Sequence, residues 1–327
     1  MYRGEFMAQA PNIDGVLVQW GDRLFYPGNR DVQVKPQPKL LVKALKQRAA
    51  AIRRRIEATV VRRAPQVMVK VTGGGRGMKA ITAHFRYISK NGRLEMEDER
   101  GETLRGRDAV HALSDDWRFG GSLIDEIGHR REAFNIMLSM PRGTDPLIVQ
   151  RAAREFAQAE LADHKYVMVL HDHQANPHVH ISVRAESKHG HRLNPRKADL
   201  QRWRETFAEK LRGWGIEAEA TRQATRGGRF RPDPLWKLKA QEEGRLRKQR
   251  TTTLSGKKAQ TSRTDALEAW LHIGQALAQS EQPGDVRLAG AIARYVQTAT
   301  FDVERPAPEL SKERAVPSQV ISNEVSR

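Results

Sequence analysis

The sequence predicts an α+β fold, an antiparallel-rich sheet with flanking helices, preceded and followed by basic helical and disordered extensions. Between residues 65 and 225, strand-like and helix-like segments alternate, and two pairs of strands are joined by short turns. Short turns join antiparallel strands, and the intervening helices would pack as a layer on one face of the sheet. Outside this region the chain becomes strongly basic or polar, which favours solvated extensions.

The composition alone already restricts the classes of function that this protein can have. The 327 residues carry a formal net charge of +18, and 39% of them are hydrophobic. Such a charge favours a polyanionic partner, and nucleic acid is the commonest one. Cysteine is absent, which excludes disulfides and thiolate metal sites. No run approaches the roughly 18 apolar residues of a membrane span, and residues 1–15 lack the apolar core of a secretory signal, so we expect no membrane insertion.

Residues 1–64 are predicted to form an N-terminal extension. Pro, Gly and Asn turn signals recur through residues 1–38, which we interpret as an extended, weakly structured segment. Residues 39–63 combine good helix formers with many basic side chains and predict a helix. Its candidate contacts to a phosphate backbone are Arg53, Arg54 and Arg55. A solvated helix face is the alternative.

The next segment predicts a strand over residues 66–71, a glycine-rich turn and a helix over residues 78–91. The TGGGRG turn precedes the N-terminus of the helix, where backbone N–H groups can bind phosphate. Arg76 and Lys79 are therefore candidate DNA contacts. The turn matches neither the Walker nor the dinucleotide pattern, so this signal is weak by itself.

Tyr87 lies at the flank of the apolar stripe of this helix, one turn from His84. A tyrosine in that position is typical of a packing residue with its hydroxyl at the surface. The local pattern alone therefore assigns Tyr87 no chemistry.

The chain from residue 93 to residue 163 predicts further elements. They are a short hairpin over 93–104, a helix over 108–117, a glycine-punctuated mobile loop over 119–130, a strand over 131–140 and a helix over 146–163. The strand is apolar enough to be central in the sheet. The PRGTDP segment supplies the cap and the first-turn proline of the following helix.

Residues 166–184 carry the strongest chemical signal. They predict a strand, a short turn and a second strand, with His171 ending the first and His178 and His180 on the second. Alternation along the second strand puts its two histidines on one face, and the turn lays His171 beside them. Three neutral imidazoles with open positions left over can hold a divalent ion. A histidine-rich surface hairpin and hydrogen-bonded core histidines are the alternatives.

The remaining chain predicts one more core helix, over residues 198–213, and then changes character. The later parts are a basic linker over 226–262, a small helical segment over 263–300 and a disordered tail over 301–327. In the linker, Arg226, Arg229 and Arg231 are candidate DNA contacts, with a simple solubilising linker as the alternative.

Three segments, FRYISKNG, REAFNIMLSMP and HDHQANPHVHISV, together resemble the conjugative relaxases, and more narrowly the T-DNA border endonuclease-like mobilisation nucleases of the HUH endonuclease class. The resemblance covers residues 67–226 and implies a relaxase-like nuclease domain over 65–225. One feature departs from that family. Relaxases often begin the histidine motif with His-x-Asp, whereas the order here is His171-Asp172-His173, which puts the carboxylate one residue early.

The resemblance also implies roles for single residues. Tyr87 would attack a DNA phosphodiester, and a divalent cation, Mg²⁺ or Mn²⁺ in the first place, would be bound by His171, His178 and His180. A tyrosine hydroxyl has a reference pKa of about 10 and needs a base. The candidates for that base or for supporting groups are His84, Asp172 and His173. Ser122 is the candidate for the DNA-contacting serine of the family.

The implied function is a metal-dependent, site-specific single-strand DNA endonuclease and strand transferase. It would nick a transfer origin through a covalent 5′-phosphotyrosine intermediate and initiate conjugative DNA transfer in the bacterial cytoplasm. Its implied partners are single-stranded or supercoiled origin DNA, accessory DNA-binding proteins and a type IV secretion coupling protein. A rolling-circle replication initiator of the same class and a non-catalytic, metal-stabilised nucleic-acid-binding module are the alternatives.

Overall fold

A computed structural model describes residues 12–26, 42–228 except 125 and 175, 240, 243–245 and 256–299. These residues form eight helices and six strands. In chain order the elements are α1 (Ile13–Phe25), α2 (Val42–Val60), β1 (Met68–Gly73), α3 (Met78–Ile88), β2 (Met96–Asp98), β3 (Thr103–Leu104), α4 (Arg107–Phe119), β4 (Ala133–Ser139), α5 (Pro146–Glu160), β5 (His164–His171), β6 (His178–Ser187), α6 (Lys197–Gly213), α7 (Lys257–Ala278) and α8 (Pro283–Thr298). The predicted DNA contacts Arg229 and Arg231 and the predicted tail over 301–327 lie outside the described residues.

The six strands form one antiparallel sheet in the order β1-β4-β6-β5-β2-β3. β4 and β6 lie next to each other near the middle, and their mutual register pairs Ile136 with Ile181 and Met137 with His180. The predicted α+β class with an antiparallel sheet and flanking helices is confirmed.

Helices pack on both faces of this sheet. On one face, α5 and α6 enclose a core that includes Ile136, Phe156 and Ile181. On the other face, α3 and α4 pack Phe85 and Trp117 against β5. The expectation of a helical layer on one face only is therefore wrong. The second layer forms because β5 is apolar on both sides, with alternate residues entering different cores.

A third apolar core lies outside the sheet and joins the two ends of the described chain. It is formed by α1, α2, α7 and α8, here called the helical body, around Leu17, Ile52 and Trp270. The prediction that residues 1–38 are extended is wrong over α1. The Asn12 side chain accepts a hydrogen bond from the Gly15 N–H and caps this helix.

The helical body is attached to the segment that follows the sheet. The hydroxyl of Thr225 donates to the Leu24 carbonyl oxygen at 2.9 Å, and the Trp270 indole N–H donates to the Thr225 carbonyl oxygen at 2.8 Å. Both bonds are buried, so they fix the helical body against the end of the sheet domain. Within the described part of the chain, every helix is too short or too polar to cross a bilayer.

Candidate metal and nucleophile site

The histidine hairpin brings three imidazoles together at one end of the sheet. His171 and His178 are direct cross-strand partners, and His180 follows on the same face of β6. The ring centroids are separated by 5.1 Å between His171 and His178, 4.6 Å between His171 and His180, and 5.0 Å between His178 and His180. One nitrogen from each ring lies within 4.8 Å of the other two. A single ion bound by all three fits this spacing.

Backbone carbonyls fix the orientation of two of these rings. The Nε2 atom of His171 lies 2.7 Å from the Ile88 carbonyl oxygen, and the Nδ1 atom of His178 lies 2.9 Å from the Asn176 carbonyl oxygen. A carbonyl oxygen only accepts, so each of these nitrogens carries the proton and the other ring nitrogen keeps its lone pair. Carbonyl-oriented imidazoles of this kind are typical of metal ligands.

The same cluster contains buried nitrogens without a hydrogen-bond partner in the part of the chain that the structure describes. Nδ1 of His171 and Nδ1 of His180 have no hydrogen-bond partner among the described residues. A buried, unsatisfied polar atom is destabilising by about 1–3 kcal/mol. A bound cation would satisfy the His171 nitrogen left free by the carbonyl bond, so the residues present fit a metal ion.

Burial keeps the three imidazoles neutral. Burial, as the largest cause, and the neighbouring His171, His178 and His84 together lower the pKa of His180 to about 3. Burial also lowers the pKa of His171 and of His178, although the hydrogen bonds to the backbone carbonyls oppose that shift. Neutral imidazole is the form that binds metal, so at neutral pH a cation displaces no proton from this cluster.

Tyr87 reaches the cluster from α3. Met78, Phe85 and Ile88 of that helix are buried against the sheet, which leaves Tyr87 outside the stripe with 69% of its side chain surface exposed. Its ring centroid lies 6.4 Å from that of His180. The phenol is thus accessible from solvent and adjacent to the histidine cluster.

His84 lies beside both the tyrosine and the cluster. Its ring centroid is 6.1 Å from Tyr87 and 6.5 Å from His180. Its Nε2 atom is buried and has no hydrogen-bond partner among the described residues. Burial lowers the pKa of His84 to about 4, so the ring is a neutral acceptor at physiological pH.

The other two supporting candidates lie just beyond β5. The His173 ring centroid is 5.2 Å from that of His171, and its side chain is exposed. Asp172 is exposed and makes no hydrogen bond or ion pair with any described residue. The structure therefore brings His173 to the cluster and leaves Asp172 at its margin.

The predicted DNA contacts on α2 occupy different environments. Arg53 donates to the carboxylates of Asp14 and Asp285, both at 2.8 Å. Arg55 forms ion pairs with Glu205 and Glu219 at 3.5 and 3.3 Å. These two guanidinium groups are engaged in structural contacts, and Arg54 is the exposed member of the three.

The remaining predicted contacts are Arg76, Lys79 and Arg226, all of which have exposed side chains. Arg226 also donates to the Thr221 carbonyl oxygen at 3.3 Å. In place of a phosphate, the carboxylate of Glu126 lies at the N-terminus of α3, where it accepts from the Lys79 backbone N–H at 3.4 Å.

Close packing accounts for the glycine run before α3. A Cβ atom added to Gly74 would lie 2.2 Å from the Ala133 carbonyl oxygen, and one added to Gly75 would lie 2.5 Å from Ile81. Glycine is therefore required here for close backbone approach, independently of any phosphate.

Ser122 has a structural role in the loop before β4. Its carbonyl oxygen and its hydroxyl both accept from Arg184, which also donates to the carbonyl oxygens of Trp117 and Gly120. The loop predicted to be mobile is thus attached to β6 at its N-terminal end. The sequence did not predict the hydrogen bonds of Arg184 or the orienting carbonyls of Ile88 and Asn176. Backbone acceptors are present in every residue, so the residue type gives no sign of them.

Part of this chain is similar to the nuclease domain of a relaxase family. Residues 87–216 match the family model described as "Relaxase: MobA/VirD2-like, nuclease domain". This segment of the chain is thus similar to the nuclease domain of that relaxase family, and the predicted resemblance is confirmed. The match begins at Tyr87, includes all three clustered histidines and leaves out the helical body.

Three curated relatives are similar to this chain, and each is called T-DNA border endonuclease VirD2. The protein of Agrobacterium fabrum is 26% identical over 187 residues, which cover 51% of this chain and 42% of the relative. Those of Rhizobium radiobacter and Rhizobium rhizogenes are also 26% identical, over 51% of this chain and 44% and 43% of their own lengths. The chain spans less than half the length of these relatives.

Proposed function

We propose that this protein is a metal-dependent relaxase that nicks and rejoins one strand of a transfer-origin DNA. The observation that carries this proposal is the exposed phenol of Tyr87, whose ring centroid lies 6.4 Å from that of His180 in the three-histidine cluster. A nucleophile beside a cation site is the arrangement that phosphoryl transfer requires.

In the proposed step, the Tyr87 hydroxyl oxygen attacks the phosphorus of a DNA phosphodiester. The Tyr–O–P bond forms as the bond between phosphorus and the 3′ oxygen breaks. The tyrosine gives up its proton, and the departing 3′ oxygen takes one, so the products are a 5′-phosphotyrosine and a free 3′-hydroxyl. The reverse reaction rejoins the strand, since the covalent link retains the energy of the phosphodiester bond.

The side chains around Tyr87 have separate proposed roles in cation binding and proton transfer. His171, His178 and His180 would hold the divalent cation, whose positive charge would polarise a non-bridging phosphate oxygen. His84 is the proposed acceptor of the tyrosine proton, because its neutral Nε2 lies buried beside that ring. His173 and Asp172 are the other candidates for this role or for supporting the cluster.

Three neutral ligands leave the full charge of the cation available to the phosphate. Imidazole nitrogen suits transition ions better than it suits Mg²⁺, which prefers oxygen ligands. Of the two cations that the resemblance to relaxases implies, we therefore propose Mn²⁺ ahead of Mg²⁺.

The test is a nicking assay on supercoiled plasmid that carries the DNA adjacent to the encoding gene, with Mn²⁺ or Mg²⁺ added. Wild type should convert supercoiled plasmid to an open circle and remain covalently attached to the cut strand in SDS. Tyr87→Phe should do neither, because the nucleophilic oxygen is missing. The matched control is Tyr2→Phe, which lies far from the motif in the chain. Equal nicking by Tyr87→Phe and wild type would contradict the nucleophile assignment.

Single variants test the role of each candidate base separately. His84→Gln, Asp172→Asn and His173→Gln are assayed individually at saturating Mn²⁺. A drop of about 10²-fold or more, the typical contribution of a general base, is expected for His84→Gln. If all three variants nick at the wild-type rate, none of these side chains is the base. Nicking that persists in EDTA would contradict the metal requirement.

The same proposal includes the DNA contacts of the protein, its cellular location and its protein partners. We propose that Arg54, Arg76, Lys79 and Arg226 contribute phosphate contacts, together with Arg229 and Arg231 of the linker. We further propose that the protein acts in the bacterial cytoplasm on a conjugative origin, with accessory DNA-binding proteins and a type IV secretion coupling protein. Capture of the coupling protein by tagged full-length protein from a conjugating donor strain would test the last point.

A further inference from the structure

A cationic pocket lies between the end of α3 and the start of α4. Its volume is about 300 Å³. Its lining consists of Arg86, Asn91, Arg107, Val110 and His111. Arg86 and Asn91 come from α3 and the turn that follows it, and the other three come from the first two turns of α4. Thus two elements that are separate in the chain contribute its polar groups.

Within the described part of the chain, the positive charge of this pocket has no counterion. Arg86 and Arg107 form no ion pair within 4.0 Å and no side-chain hydrogen bond with any described residue, and the lining contains no carboxylate. Nearby arginines behave differently. Arg100 pairs with Asp98 at 2.8 Å and Arg105 pairs with Glu95 at 3.7 Å. An uncompensated pair of guanidinium groups facing one cavity is typical of an anion site.

The backbone around the pocket is held rigidly. The Gly106 N–H donates to the Gly92 carbonyl oxygen at 2.9 Å, and the Gly92 N–H donates to the hydroxyl of Ser89 at 3.0 Å. Gly92 has a φ of +80°, and a Cβ there would lie 2.3 Å from the Gly106 carbonyl carbon. The two walls are therefore locked together, so little reorganisation is needed when a ligand binds.

The pocket lies beside the nucleophile but on another side of its helix. Arg86 precedes Tyr87 in α3, and successive residues of a helix project about 100° apart. Tyr87 faces the histidine cluster, whereas Arg86 faces α4. A strand attached to the tyrosine oxygen would cross the exposed end of α3 to reach the pocket.

We propose that this pocket binds a backbone phosphate of the single DNA strand, at a position that flanks the phosphate attacked by Tyr87. The proposal rests on the proposed function, since it takes single-stranded DNA as the substrate. Arg86 and Arg107 supply the charge and the forked N–H donors, and the Asn91 amide and the His111 ring supply further donors. The subsite fixes the register of the strand relative to the nucleophile.

The test is equilibrium binding of a fluorescein-labelled 30-nucleotide single strand, taken from the DNA adjacent to the gene, followed by anisotropy over a range of salt concentrations. Full-length protein is used without divalent ions and with Tyr87→Phe in every sample, so that no strand is cut. The variant is Arg86→Gln/Arg107→Gln. The matched control is Arg118→Gln, an exposed arginine at the other end of α4, about 16 Å from Arg107 at 1.5 Å per residue.

The double variant should bind at least about tenfold more weakly than its parent, because charge-assisted hydrogen bonds are lost. The slope of log K against log salt should become shallower by about 0.7 for each phosphate contact removed. Arg118→Gln should change neither quantity. Both altered side chains are exposed and pair with none of the residues that the structure describes, so the thermal midpoint should stay at the parent value.

An affinity and a slope equal to those of Arg118→Gln would overturn the subsite. A weaker affinity with an unchanged slope would overturn its assignment to a phosphate. These outcomes are independent of the nucleophile, since binding is measured without cleavage. Nicking by the Tyr87→Phe protein would refute the proposed function while leaving the binding result for the pocket intact.

Discussion

The Nε2 atom of His171 donates a hydrogen bond of 2.7 Å to the carbonyl oxygen of Ile88. Ile88 follows Tyr87 at the end of α3, so one bond joins the histidine cluster to the helix that carries the tyrosine. The same bond leaves Nδ1 of His171 as the lone-pair nitrogen. The position of the histidine cluster relative to Tyr87, the proposed nucleophile, is therefore set by the main chain of α3.

Metal binding should depend on this oriented imidazole. Adding Mn²⁺ at 100 times its dissociation constant should stabilise the wild-type protein by about 2.7 kcal/mol, because the ion binds only the folded site. His171→Ala should lose most of that gain. The measurement is the thermal midpoint with and without Mn²⁺. His189→Ala, at an exposed histidine near Asp163, should retain the full gain, and an equal loss in both variants would contradict the assigned site.

The turn after α3 should tolerate no side chain at Gly92. Gly92 and Gly101 share a left-handed φ, +80° and +82°, but a Cβ at Gly92 would lie 2.3 Å from Gly106 whereas nothing lies within 4 Å at Gly101. Gly101→Ala should cost about 1–2 kcal/mol, the strain of that conformation alone. Gly92→Ala should cost more, by at least about 1–3 kcal/mol of overpacking. Urea unfolding compares the two, and equal losses would show that the contact relaxes freely.

The histidine cluster is the part of the site that the sequence predicts, because the local spacing of its residues determines their positions. Two histidines two residues apart on a strand must share a face, and the short turn places His171 opposite His178. Tyr87 is different, because it lies at the flank of an apolar stripe, and only resemblance to the relaxases indicates its role. The Ile88 carbonyl that orients His171 is separated from it by 83 residues and carries no side-chain signal.

The helical body is likewise a part of the fold that local sequence patterns do not predict. Its α1 lies among Pro, Gly and Asn residues, which favour turns, and its apolar side chains are stabilised by partners far away in the chain. Arg53 and Asp285, for example, are 232 residues apart. The basic character of α2 suggested contact with DNA, but two of its three consecutive arginines are partnered by carboxylates that no local pattern identifies.

Arg184 should be essential for the loop between α4 and β4. Its buried guanidinium donates to the carbonyl oxygens of Trp117, Gly120 and Ser122. Arg184→Met should lower the free energy of unfolding by about 2–4 kcal/mol, because buried carbonyls lose their donors. Arg142→Met, at an exposed position, should change it by less than about 0.5 kcal/mol. Denaturant unfolding measures both, and a stable Arg184→Met protein would contradict the anchor.

Acid should weaken the helical body through Asp285. Burial alone would raise the pKa of Asp285, but hydrogen bonds from Arg53 and Ser280 and the charge of Arg53 outweigh it and lower that pKa. A folded-state pKa below the unfolded value of about 3.9 gives stability that is complete above that value and is lost as the pH falls through the folded pKa. Asp285→Asn should therefore be less stable than wild type by about 2 kcal/mol at pH 7. The difference should shrink below about pH 4.

Thermal midpoints of both proteins measured from pH 7 to pH 3 give this difference directly. Asp22→Asn is the matched control, since Asp22 pairs with Arg48 at 2.7 Å while about a third of each side chain is exposed, 32% and 35%. A pair that is partly open to solvent contributes less than a buried pair, so this variant should differ less from wild type than Asp285→Asn does. A gap between wild type and Asp285→Asn that stays constant down to pH 3 would mean that packing, and not the charge of Asp285, stabilises the contact with Arg53.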